Sequence, residues 1–190
     1  MTRPTPLHLA TAAVLALTAC TTNTPNHQMP GDPMSTYPPL PSDIAARPDI
    51  TIADADYRRL VTDLARAIHT HGGPDLTTAT MDVNGSACAG VRNADVENRG
   101  YYLRTGTVMD PTRWPAVYAA VLDIARTHGY TRVLVLADAP GRHDIQIVDD
   151  HTHGYVTVGA HDRGTYVGIE SACHPRADMR HLPTTTPTTP

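Results

Sequence analysis

"TRVLVLADAPGRHDIQIVDDHTHGYVTVGAHDRGTYVGIESA", residues 131–172, decides the fold. It contains four apolar, β-branched runs: TRVLVLAD (131–138), HDIQIVDD (143–150), GYVTVGA (154–160) and TYVGIESA (165–172). Between them stand APGR, DDHTHG and HDRG, which carry the Gly, Pro, Asp and Asn-like chemistry that turns require. Short runs joined by short turns predict an antiparallel meander, because antiparallel neighbours need only a tight connection.

Upstream, ATMDVNGSACAGV (79–91) and GYYLRTGTV (100–108) also read as extended. These two segments separate two amphipathic helices. Tyr57, Leu60, Val61, Leu64 and Ile68 fall on one face of a helix that has Asp54 and Asp56 as candidate caps and stops at Gly72-Gly73. After MDPTRWP, Asp110 suits an N-cap and Pro111 a first helical position; Trp114, Val117, Val121 and Ile124 then form a stripe that ends at Gly129. Two helices cannot cover both faces of a six-stranded sheet. The expected class is therefore α+β: a two-layer α/β sandwich with a mainly antiparallel sheet of about six strands, both helices on one face and the other face more polar.

The N-terminus reads as an export signal over residues 1–19. Arg3 supplies the positive start, and Leu9 to Ala19 form an apolar run much shorter than the roughly 20 residues that span a bilayer. Leu17-Thr18-Ala19-Cys20 fits a bacterial lipobox. Cleavage there makes Cys20 the first residue, with diacylglycerol on its sulfur and the protein held at the extracytoplasmic side of the cell membrane. Residues 20–50, rich in Thr, Asn and Pro, read as a tether, 51–182 as one globular domain, and 183–190 as a Thr/Pro-rich tail, a candidate for O-glycosylation. With Cys20 acylated, the remaining thiols, Cys88 and Cys173, make one candidate pair in an oxidising compartment; two buried free thiols are the alternative.

Composition excludes several chemistries. All fifteen basic residues are arginine, so lysine-dependent catalysis is absent. Loss of residues 1–19 removes Arg3 and no acid, taking the formal charge from −4 to −5, which argues against binding nucleic acid. No serine stands in a G-x-S-x-G context, and the chain has no H-E-x-x-H and no glycine-rich nucleotide loop. No cofactor is implied. His151, His153 and His161, with Asp149 and Asp150, are weak metal candidates, because His-x-His aligns its rings only in extended backbone and DDHTHG reads as a turn. His69 and His71 fit a helix C-terminus. Cys173-His174 reads as a disulfide position beside a surface histidine.

The lipobox at Cys20, NGSAC carrying Cys88, the aromatic-led helix ending in THGYT, a closing strand that delivers Cys173 and the Pro/Thr-rich finish together resemble the LppA-like lipoprotein family of mycobacteria and related actinobacteria. CHPRADM after the last strand departs from that pattern. The resemblance implies a membrane-anchored lipoprotein with Cys88 and Cys173 bridged. The expected role is non-catalytic: binding of an envelope protein, a cell-wall component or a small apolar ligand. The alternative is an exported hydrolase or weak metal-binding protein that uses the His-rich segment 143–161.

Overall fold

The structure, a computed structural model, describes residues 41–88 and 96–177. The signal segment, Cys20, the tether up to residue 40 and the tail at 183–190 lie outside the described residues.

Helix α1 (Ser42–Ala45) is a single turn, and α2 (Ile50–Thr70) follows it. α1 lies wholly in the stretch read as tether, and α2 begins on its last residue, Ile50. One turn is too short to show a period, yet Ile44 is buried beside Cys88 and Val96, and Ile50 is buried as α2 begins. The cap of α2 is Asp49, whose Oδ1 accepts from the backbone N–H of Thr51 at 3.0 Å and of Ile52 at 3.1 Å. Asp54 and Asp56, expected as caps, therefore sit inside the helix. The β-branched sequence Ile50-Thr51-Ile52 hides that start, and the cap together with the burial of Ile50 outweighs its low helix propensity. Leu60, Val61, Leu64, Ala65 and Ile68 form the buried stripe. Gly72 ends the helix at φ +86°, and Gly73 N–H closes on Ile68 O at 2.8 Å.

Asp110 caps a 3₁₀ turn (Pro111–Arg113) by accepting from Thr112 N–H at 2.9 Å, and α3 (Trp114–Thr127) continues from it. Trp114, Val117, Val121, Leu122 and Ala125 are buried, while Ile124 packs partly buried at the margin. Gly129, at φ +88°, lets the chain leave the helix in a conformation that L-residues resist.

The strands are β1 (Asp82–Ser86), β2 (Val96–Thr105), β3 (Arg132–Ala139), β4 (Arg142–Val148), β5 (Tyr155–His161), β6 (Gly164–Glu170) and the two-residue β7 (His174–Pro175). They form an antiparallel sheet in the order β1-β2-β6-β5-β4-β3, with β7 beside the start of β2. The meander β3-β4-β5-β6 is thus extended by β2 pairing with β6, and β1 closes the far edge. Tyr101, Leu103, Ile145, Ile147, Val156, Val158, Val167 and Ile169 point from the sheet into one core with α2 and α3. The result is the expected two-layer α+β arrangement.

Strand β3 differs from the usual fate of an apolar run. Only Val133 packs against the core, while Val135 and Leu136 are 61% and 56% exposed. β3 is the edge strand, and a bulge between Val135 and Ala137 breaks its register with β4.

Candidate binding face

Strand register sorts the face of the sheet turned away from α2 and α3, which no helix among the described residues covers, into three rows, since directly opposed residues project to the same side. One row runs Asp82, Tyr102, Gly168, Thr157, Gln146, Leu134. The next runs Arg104, Tyr166, Gly159, Asp144, Ala137. The third runs Asn84, Gly100, Glu170, Tyr155, Val148, Arg132. Three tyrosines and three glycines therefore share this face.

The glycines decide how the rings lie. A Cβ built on Gly168 would stand 2.2 Å from Tyr102 Cδ1, and one on Gly159 would stand 2.1 Å from Tyr166 Cε1. Each ring thus lies down across the neighbouring strand in space that only glycine leaves open. Gly159 and Gly168 are buried beneath rings that are themselves half-exposed. The hydroxyls complete the fixation: Tyr102 donates to Glu170 Oε1 and Tyr166 donates to Asp144 Oδ1. Burial, with the hydrogen bond to Asp144, pushes the Tyr166 hydroxyl up to about 12. Burial and Glu170 likewise hold Tyr102 far above the ordinary phenol range. Both therefore remain protonated donors at neutral pH. The Arg104 guanidinium lies 5.1 Å from the Tyr102 ring centroid. His161 meets Tyr166 edge-on at 5.7 Å and reaches Asp144 Oδ2 through Nε2 at 3.2 Å.

A second feature opens at the β3–β4 end of the helix-bearing face. His143 stacks on Trp114 with centroids 4.8 Å apart, and its Nδ1 meets Asp138 Oδ1 at 2.7 Å. Val108, Met109, Pro111 and Ala160 line the adjoining cleft, with His161 and Asp162 at its rim. Its volume is about 180 Å³, below the roughly 300–1,000 Å³ of common small-molecule sites. His151 and His153 lie elsewhere, in the β4–β5 turn. There Asp149 Oδ1 accepts from His151 N–H at 2.9 Å, and His153 takes φ 63°. The structure brings His143 and His161 to one cleft and leaves His151 and His153 at the opposite end of the hairpin. Among the described residues no group of three or more His, Cys, Asp or Glu side chains is placed to hold a metal ion.

Cys88 and Cys173 are joined in a disulfide with Cα atoms 5.9 Å apart. His174 beside it is buried, not superficial as the sequence suggested. Its Nδ1–H donates to Pro48 O at 2.9 Å, which leaves Nε2 to accept from the Tyr57 hydroxyl at 2.8 Å. Burial holds this imidazole below its ordinary pKa. The cause of its burial is long-range: β7 pairs with β2 and draws the residue under the start of α2.

Comparison with known proteins places the chain. A family model for LppA, described as a lipoprotein confined to pathogenic Mycobacterium, matches residues 26–177. The chain belongs to the LppA family. LppA proteins are lipoproteins, which associates this chain with the cell envelope. Among solved structures it is similar to LppA of Mycobacterium tuberculosis, with 15% identity and a TM-score of 0.46 over 68% of this chain and 82% of that one. It is also similar to a DUF4853 family protein of Actinomyces odontolyticus, with 18% identity and a TM-score of 0.43 over 74% and 75% of the two chains. No curated protein matches it.

Sequence reasoning did not single out Tyr102, Tyr155, Tyr166, Asp144 or Glu170. A signal for Tyr102 and Tyr166 exists in Gly100-x-Tyr102 and Gly164-x-Tyr166-x-Gly168, where glycine and tyrosine share one side of a strand at steps of two.

Proposed function

We propose that this LppA-family chain is held at the extracytoplasmic side of the cell membrane by a diacylglyceryl group on Cys20, and that its globular domain works by binding and not by catalysis. The observation that carries the binding reading is the uncovered sheet face. There Tyr102 and Tyr166 lie flat on glycine, and the carboxylates of Glu170 and Asp144 hold tyrosine hydroxyls in place. These side chains are fixed as a surface, which suits recognition of a partner. The anchor rests on Leu17-Thr18-Ala19-Cys20 at the end of an apolar run, in a chain whose family is one of lipoproteins. Cys20→Ala tests it by fractionation. The protein is expected to leave the membrane fraction, and continued tight association would contradict the anchor.

A further inference from the structure

We propose that the open sheet face is a glycan-binding platform, on which pyranose rings of a polysaccharide stack against Tyr102 and Tyr166. This inference rests on the binding reading and names its ligand class.

Three observations carry it. The first is ring presentation: with glycine beneath, each ring turns one face to the backbone and the other outward, and the exposed Arg104 side chain, its guanidinium 5.1 Å from the Tyr102 centroid, is the group a sugar on Tyr102 would displace or share. An outward aromatic face is electron-rich, and the axial C–H groups of a pyranose are its complement. Tyr102 and Tyr166 stand on adjacent strands as a diagonal pair, a spacing of about 7–8 Å between residue positions by sheet geometry. That separation lets neighbouring sugars of one chain meet separate rings.

The second observation is the polar surround. Arg104 is exposed and makes no ion pair among the described residues, and Glu170 receives the Tyr102 hydroxyl on Oε1 and has no cationic partner there. One supplies several N–H donors and the other acceptor lone pairs, the two halves of hydroxyl recognition. Gln146 and Asn84, with a donor and an acceptor each, extend the same rows.

The third is charge. The three rows carry Arg104 and Arg132 against Asp82, Asp144 and Glu170. That near balance lacks the basic cluster that phosphodiesters or anionic headgroups need. A purely apolar partner would strip water from Arg104 and Glu170 without replacing it, a desolvation penalty that nothing in such a contact offsets. A neutral polyhydroxyl chain with apolar ring faces satisfies the rings and the polar groups together.

The test uses the full mature chain in detergent micelles, with chitohexaose, cellohexaose and mannohexaose as probes in saturation-transfer and protein-detected NMR. At least one probe is expected to bind, shifting the ring resonances of Tyr102 and Tyr166. Gly159→Ala removes no group that would touch the sugar but forces the Tyr166 ring off the sheet, and it should weaken binding about tenfold or more. Tyr166→Phe, which keeps the ring, should lose less than Tyr166→Ala. Thermal melts of each variant confirm that the fold persists. Silence with all three probes overturns the inference, as does binding that Gly159→Ala leaves unchanged or that maps to the Trp114–His143 cleft. Cross-linking of this face to an envelope protein, with the glycans silent, overturns the glycan assignment while the broader binding reading stands.

Discussion

Reduction of the Cys88–Cys173 bridge should weaken this domain about as much as the most damaging single core truncations. The bridge spans 85 residues of sequence. The chain-entropy relation for a loop of that length gives about 4.6 kcal/mol, lost when the unfolded chain regains its freedom. Native domains hold only about 5–15 kcal/mol in total. The bridge also fixes local structure: Cys88 packs with Ile44 and Val96, and Arg47 Nη1 donates to Cys173 O at 2.9 Å. Equilibrium urea unfolding of the oxidised protein, the protein in reductant and the Cys88→Ser/Cys173→Ser variant measures the loss. With a urea slope of about 2 kcal/mol/M, the midpoint should fall by roughly 2 M. The melting temperature should fall by roughly 15 °C for a domain of this size. A difference below about 1 kcal/mol between oxidised and reduced protein would refute the reasoning.

Two further outcomes follow from the geometry. Because burial holds the His174 pKa below its unfolded value of about 6.5, the unfolded chain binds the extra proton first as pH falls. The stabilisation is full above that value and declines below it, by at most about 1.4 kcal/mol per pH unit. His174→Gln should flatten this decline relative to the parent in urea melts between pH 7 and 5, and equal slopes would count against a neutral buried imidazole. Asp49→Ala should cost about 1 kcal/mol through loss of the α2 cap. Asp56→Ala, which removes only an exposed 3.6 Å pair with Arg59, should stay within about 0.5 kcal/mol. Thermal melts of the two variants distinguish the true cap from the one the sequence suggested.

The parts of this fold legible in the sequence are those specified locally. Leu60, Val61, Leu64 and Ile68 mark the buried face of α2 by spacing alone, and turn residues separate the strands of the meander at nearly their observed ends. Pairing of β6 with β2 is set by packing between segments far apart in the chain, and no local pattern announces it. The same holds for His174, whose burial depends on Pro48 and Tyr57, more than a hundred residues away. β3 shows the converse. Its apolar run reads as core, but at the sheet edge Val135 and Leu136 remain exposed. For the candidate face, tyrosine and glycine were visible at alternate positions, yet only register shows Tyr166 lying over Gly159 of a neighbouring strand. The histidines drew attention because imidazole is versatile chemistry. Their placement depends on hairpin geometry, which sends His151 and His153 to one end and His143 and His161 to the other.

Mass spectrometry of the amino-terminal peptide, taken from protein extracted from native membranes, tests the central claim most directly. The account predicts that the mature chain begins at Cys20 and carries diacylglycerol on its sulfur. A free Cys20 thiol, or a chain that retains residues 1–19, would contradict it.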